Sequence, residues 1–571
     1  MSEPQVNSQR LWRDAEAISQ WPREAGSEGE VAAFDYIAYQ LAQHGISAAQ
    51  RRIPALISLP GCADMVLDGQ LVPVITHSMA ASTGPDGVEA PLVLAAAAES
   101  AWQDRIVVFD GLAVPSAVQR AQQAGALAAL FLSFDRIAHE MIVSNVWGSP
   151  APHEQGLLPH IPVATAGGEA ATAVREHVAG SQTTPIARLR TEVSTGWLEI
   201  PLLVADVKAP HACEEQFVLF SGHVDSWHLG AMDNAGANAT MLEIARLAHD
   251  HREQMRRHLR IAFWSGHSHG RYAGSAWYVD EHWTDLDRHC VAHVNIDSIG
   301  ACGATVLSHA PSMADTHDVG AQAVQAVAGQ DLQRERFTRA GDQSLMNIGV
   351  SSLFLTLSEQ PCGGESRLRD GSALLKGRSA ADTGGLGWWW HTPEDTIDKL
   401  DSAILVRDAE IYRHAIAAFT DEAIVPLDIA SSAGQLGDQL EEIAARCGAR
   451  FDLNRMLEQS AHVLRLATAA MRRVKELREK PEHPDVMQVN RALVAASRPL
   501  TRLGYAAEDR FGHDRAAASC PIPLLAPLDA LLATTPSSDA EYMQRTLAVR
   551  RANRALDELR LAADALEEIV G

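Results

Sequence analysis

Between Phe217 and Asn234 the chain reads FVLFSGHVDSWHLGAMDN, an apolar run followed closely by a histidine and two acids. Phe217 to Phe220 is long enough for a buried strand. His223 and Asp225 then form H-x-D, and Asp233-Asn234 stand at the mouth of AGANATMLEIARLA. That segment puts Ala237, Met241, Leu242 and Ala245 on one helical stripe. Ligands of open α/β sheets sit beyond the carboxyl ends of strands. Imidazole nitrogen and carboxylate oxygen placed there are the donor atoms of a zinc site. Asp297 closes another candidate strand in HVNIDSIG, and His391 follows three tryptophans in GWWWHTPEDTIDKLD. A lone histidine is more often structural. These residues are set apart by their joint placement, each at a predicted strand end or in a loop.

The elements that must position them follow a pattern. Glu30 to His44 is amphipathic, and Gly45 stops it. From about Gly61 to Arg190, short β-like runs such as RIVVFDG alternate with turns, a helix over Ser116–Ala124 and the apolar run ALAALFLS. This stretch holds no cluster of metal-ligand types and reads as a lid or adaptor. From about Thr191 to Pro426, candidate strands Phe217–Phe220, Leu259–Trp264, Val291–Ile296 and Ser352–Leu357 alternate with helices. Such alternation predicts an α/β fold with a mainly parallel sheet covered on both faces. From about Ser431 onward the sequence is helical, with long periodic segments over Leu453–Lys480, Val489–Leu503 and Ala540–Val570. The expected division is a catalytic domain of residues 1–60 and 191–430, a β-rich insertion at 61–190 and a helical part at 431–571.

Bulk properties limit the function classes. The 571 residues suggest roughly three or four domains at about 150 residues each. A net charge of -24 disfavours nucleic acid and acidic membrane surfaces as partners. Seven scattered cysteines, without a CxxC pair, fit free thiols in a reducing compartment. The polar N-terminus has no apolar signal-like segment, so the expected location is cytoplasmic.

The strings SGHVDSWHLGAMDNAGANATMLEIARLA, HVNIDSIG, GDQSLMNIGVSSLFL and WWWHTPEDTIDKLD are similar to those of the co-catalytic zinc exopeptidases. That family includes bacterial aminopeptidases, glutamate carboxypeptidase II and the transferrin receptor. RIVVFDG and AQQAGALAALF resemble the protease-associated domain of its receptor-like branch, and NRALVAASRPLTRLGYAAEDRFGHDR resembles that branch's helical dimerisation domain. The resemblance implies Zn2+, one or two ions per chain, and a homodimer through the C-terminal helices. It implies His223, Asp233 and Asp297 on one ion, and the bridging Asp233 with His391 on the other. Asp225 would be the carboxylate that orients His223.

The family also uses a Glu-Glu pair, one as ligand and one as general base. Here the loop reads FWSGHSHGRYAGSAWY, with His267 and Ser268 in place of the pair. Histidine, with a reference pKa near 6.5, can take and return a proton. His267 is therefore the candidate base, and a ligand role for it stays open. His269 is the other candidate for the vacated ligand position. A neutral ligand leaves the site one charge more positive, which weakens a second ion and favours a bound hydroxide or an anionic substrate group. Trp388 to Trp390 are candidates for a pocket wall or core, and Arg271, Arg367 and Arg369 for a carboxylate grip or surface charge. No base is placed for a thiol nucleophile at Cys213, Cys290 or Cys302. The expected function is zinc-dependent hydrolysis of a peptide or other amide-type C–N bond by a metal-activated water. The alternatives are a single-zinc hydrolase of a specialised amide or carbamate, and a catalytically silent dimeric binding protein.

Overall fold

The computed structural model describes residues 5–212, 214–336, 341–364, 383–517 and 519–571. Arg367, Arg369 and Cys213 lie outside the described residues. Among the described residues, twelve strands form one continuous sheet: β1 (Ala48–Leu67), β2 (Gln70–Val72), β3 (Ile75–Thr76), β4 (Val88–Leu94), β5 (Ile106–Asp110), β6 (Ala128–Leu132), β7 (Val163–Ala166), β8 (Ile186–Val207), β9 (Phe217–His223), β10 (His258–Trp264), β11 (Cys290–Asp297) and β12 (Ser352–Thr356). The order is β12-β11-β9-β10-β8-β4-β5-β6-β7-β3, with β1 paired along β8 and β2 on β1.

β9 is parallel to both β10 and β11, and β11 to β12. Side chains of β9 alternate between two cores, as the two-residue period of a strand requires. Val218 and Phe220 join one core with Leu242 and Ala245 of helix Gly236–His251 and Leu405 and Tyr412 of helix Ser402–Asp421. Phe217 and Leu219 join the other with Tyr278 of helix Ala273–Glu281. Burial on both faces explains why this strand reads as an unbroken apolar run. The candidate strands and helices of the central region are all present, with ends shifted by a few residues.

The sequence did not reveal the long ribbon made by β1 and β8. They pair antiparallel from Ala48↔Ala205 to Leu67↔Ala187. The far edge of β8 carries β10 at its C-terminal half and β4 at its N-terminal half, so the ribbon joins two smaller sheets into one. The expected domain limits at 60/61 and 190/191 both fall inside continuous strands. They coincide with a register shift between Pro60 and Ala63, where a bulge can bend a ribbon.

Helices Ile429–Cys447, Asn454–Arg478, Asp485–Tyr505 and Asp539–Val570 pack together. Arg498 and Arg502 tie them to the sheet region. Arg498 donates to the carbonyls of Leu286 and Cys290, and Arg502 donates to the Ile348 carbonyl and pairs with buried Glu558 at 2.7 Å. Among the described residues, no helix is long and apolar enough to cross a membrane.

Candidate metal centre

His223 is the last residue of β9 and Asp297 the last of β11, so two neighbouring parallel strands deliver a ligand each. Trp264 lies in register with His223, which places the loop after β10 beside them. Gly222 lets β11 come close, since a β-carbon there would lie 2.8 Å from the Ile296 carbonyl oxygen. Asp233 follows a tight loop at Gly230, whose φ of 46° and 2.2 Å clearance to the Asp233 carbonyl oxygen exclude a side chain. The Asp233–Asn234 peptide is cis. His228, Arg271, Tyr272, Ser298 and His391 also have positive φ, and such conformations concentrate at functional sites.

The predicted ligands converge. His223 Nε2 is 3.2 Å from Asp233 Oδ1 and 3.4 Å from Asp297 Oδ1. Asp233 turns its other oxygen, Oδ2, to His391 Nε2 at 3.1 Å, so one carboxylate bridges two imidazoles. His223 Nδ1 donates to the Asp225 carbonyl at 2.8 Å, and His391 Nδ1 donates to the Glu140 carbonyl at 2.7 Å. With Nδ1–H committed, each neutral ring presents an Nε2 lone pair to a carboxylate. His223 Nε2 and Asp233 Oδ1 are buried and make no hydrogen bond, an arrangement that a shared cation between them would satisfy. The carboxylates also act on the charge of the ring. Burial disfavours a charged His223, yet Asp297 and Asp233 outweigh it and raise the ring well above its usual value. Burial likewise opposes ionised Asp233, but His223 and His391 hold it well below the carboxylate range. Imidazole and carboxylate in this arrangement are a zinc donor set.

His267 belongs to the same group. Its ring stacks on His223 at 3.7 Å between centroids, and its Nε2 lies 4.0 Å from Asp297 Oδ2. His223, His267 and Asp297 each offer a ligand atom within 4.8 Å of the others. His267 Nδ1 donates to Asp342 Oδ2 at 3.2 Å.

One expectation needs correcting. Asp225 orients His223 through its main-chain carbonyl, not its carboxylate, which is 3.9 Å from Nδ1. The carboxylate instead accepts the N–H groups of His267 at 3.1 Å and Ser268 at 2.9 Å, fixing the altered loop. His269, the other candidate ligand, lies against Asp225 and Trp227. It is buried, with Nδ1 3.8 Å from Asp225 Oδ2 and its ring 4.3 Å from that of Trp227 between centroids. His267 thus contacts His223 and Asp297, while His269 contacts Asp225 and Trp227.

Other candidates have structural roles. Arg271 spends its guanidinium on the carbonyls of Ser144 and Ile142, both at 2.7 Å. Trp388 and Trp389 are buried in the core, and Trp390 stacks on His391 at 3.5 Å. Cys290 is buried, which pushes its thiol up to about 11.

Several site residues escaped the sequence reading. Asp342 sits in the quoted GDQS string but had no assigned role. Arg23, fully buried, donates to the carbonyls of Val224, Leu229 and Gly230 and ties the N-terminal segment to the metal loop. Asp395 accepts the N–H groups of Met232 and Asp233, while burial pushes it up to about 7. The insertion contributes His139 and Glu140, which no local signal marks.

The fold has known counterparts. The fold resembles an aminopeptidase from Aneurinibacillus sp. strain AM-1 (18% identity, 73% of this chain and 94% of that chain, TM-score 0.54). It also resembles BSAP, a zinc aminopeptidase from Bacillus subtilis (17%, 74% and 97%, TM-score 0.57), and a peptidase M28 precursor from Shewanella amazonensis SB2B (19%, 72% and 95%, TM-score 0.53). No curated protein matches the chain. Residues 203–416 match the model of peptidase family M28, and this segment carries all the converging ligands.

Proposed function

We propose that the protein is a zinc-dependent hydrolase of a peptide or other amide C–N bond, with His267 as general base. The observation that carries this reading is the convergence of His223, Asp233, Asp297, His391 and His267 from four separate stretches of chain. Bound zinc would polarise the scissile carbonyl and make hydroxide available near neutral pH. The chain's own residues orient and move protons. Asp342 takes the Nδ1–H of His267, which leaves Nε2 on the ligand side as the proton acceptor. From there the proton passes to the leaving nitrogen.

The two ion positions are unequal. His223, Asp233 and Asp297 supply three protein ligands to one, the number typical of catalytic zinc. Asp233 and His391 supply two to the other. We read the first as tightly held and the second as weak. The insertion at 61–190 is read as a protease-associated module. The C-terminal helices are read as a dimerisation part, since Tyr542, Met543 and Leu547 lie exposed on the last of them.

Metal analysis with activity on a peptide and acyl-amide panel tests the reading. The expected result is one zinc per chain after dialysis and hydrolysis on reconstitution. No retained zinc and no hydrolysis would leave a binding protein. Light scattering of the same sample tests the dimer.

A further inference from the structure

The proposed base has a second ring against it, and that ring is held from outside the sheet region. His267 stacks on His223 at 3.7 Å between centroids, and the ring of Tyr272 lies 4.8 Å away, tilted by 59°. One hydrogen bond, from Nδ1 to Asp342, fixes a point on the imidazole but lets the ring pivot about it. The direction of Nε2 is therefore set by what packs on the ring. Tyr272 is 5% exposed, and its hydroxyl accepts from the Arg271 guanidinium at 3.4 Å.

An uncommon backbone puts Tyr272 there. Arg271 and Tyr272 have φ of 42° and 61°, and consecutive non-glycine residues in the left-handed region persist only where their surroundings enforce it. The insertion enforces it here. The Arg271 guanidinium grips the Ser144 and Ile142 carbonyls, and the Arg271 carbonyl accepts the Gly148 N–H at 3.2 Å. A β-carbon on Gly148 would stand 1.9 Å from the Gly270 carbonyl oxygen, so the insertion lies directly on this loop. Buried Trp147 sets its ring 5.1 Å from that of Tyr272. Its indole N–H donates to the Asp514 carbonyl, and the Ala516 N–H donates to the Asn145 carbonyl at 2.8 Å. Trp147, Tyr272, Ala276 and Ala516 form one small apolar cluster, to which the insertion, the sheet region and the C-terminal part all contribute.

Resting on the reading of His267 as base, we propose that Tyr272 is a positioning residue for it, held in place by the insertion through Arg271 and Trp147. The Tyr272 ring blocks the pivot of the imidazole, so that Nε2 stays beside Asp297, 4.0 Å from Oδ2. The insertion then takes part in turnover without touching the substrate. A leucine at 272 leaves part of the slot empty, and the imidazole tilts into it. A displacement of about 1 Å in a catalytic group costs about 100-fold in rate.

The test is a double-mutant cycle on zinc-loaded full-length protein, with the best substrate of the panel. Tyr272→Leu should lower kcat by about 10- to 100-fold, with KM and zinc per chain at wild-type values. Tyr272→Phe keeps the ring and should recover most of the loss. In a His267→Ala background Tyr272→Leu should cost nothing further, because the residue it positions is gone. A loss of the same size in both backgrounds, or wild-type kcat in Tyr272→Leu, overturns the proposal and leaves the hydrolase reading standing. Should Tyr272→Leu fail to fold, Arg271→Gln, which cuts the link to the insertion, passes through the same cycle with the same outcomes. If His267→Ala itself keeps wild-type kcat, the base reading fails. Labelling of His267 with diethyl pyrocarbonate, read by peptide mass spectrometry, then decides the positioning alone: faster labelling in Tyr272→Leu than in wild type supports it, and equal rates refute it.

Discussion

Replacing Asp342 by Asn probes the proposed base without touching the converging ligands. Asp342 is 1% exposed, its Oδ2 holds His267 Nδ1 at 3.2 Å, and its Oδ1 accepts the Ser275 hydroxyl at 3.0 Å. In the Asn variant the carbonyl oxygen is drawn to the Ser275 donor, so the amide N–H groups face His267. Nδ1 must then accept, the ring proton moves to Nε2, and the atom that should take a proton is already protonated. A hydrogen bond to a charged group contributes about 1.5–3 kcal/mol. At about 1.36 kcal/mol per tenfold, that is roughly a 10- to 150-fold loss of kcat. Zinc content and KM should stay at wild-type values, because no ligand atom has moved. The assay is steady-state kinetics on the best substrate of the panel, with metal analysis of the same sample. Wild-type kcat with full zinc would show that His267 does not depend on Asp342, and the base assignment would fall with it. Loss of zinc in parallel with kcat would instead place Asp342 among the supports of the ligand set.

His267→Ala should lower kcat by about 10²–10⁴-fold while the zinc at His223, Asp233 and Asp297 stays bound; unchanged turnover would disprove the base role. His139→Ala removes the bond to the Trp390 carbonyl, and supports of this kind are worth about 10–100-fold in metal affinity. Competition with a chelator should therefore release the weaker ion more easily, and an unaltered competition curve counts against the insertion as a support. Asp315, buried and accepting from Ser351, is pushed up to about 6 by burial. An acid with a raised folded pKa stabilises the fold below its unfolded value and loses that contribution as pH rises through 6. Asp315→Asn should therefore flatten the fall in Tm between pH 4 and 8, by about 2–3 kcal/mol of stability; identical slopes would remove the effect.

Local pattern was enough for much of the scaffold. The apolar runs of β9, β10 and β11 are buried on both faces, so they stand out as unbroken hydrophobic stretches whose ends carry His223 and Asp297. The helix that follows Asp233 has a clear apolar stripe, and so do the long C-terminal helices. β1 and β8 escaped because no single pattern runs their whole length: β8 alternates over 186–192, is largely exposed over 193–199 and is buried over 200–203, and β1 is buried over 55–58 between largely exposed stretches.

The amino-acid order by itself determined which atoms could meet a cation, because strand ends, a helix start and a loop histidine are set by nearest-neighbour preferences. The resemblance of this loop to the zinc exopeptidases also put His267 and Ser268 where that family has two acids. Only the tertiary structure decided that His267 contacts His223 and Asp297 while His269 contacts Asp225 and Trp227, since both depend on where the Asp225 carboxylate anchors the loop. The same holds for Asp342 and Glu140, which reach the site through the packing of the GDQS loop and the insertion. Contacts between residues far apart in the chain leave no periodic trace, and three-dimensional packing alone selects among them.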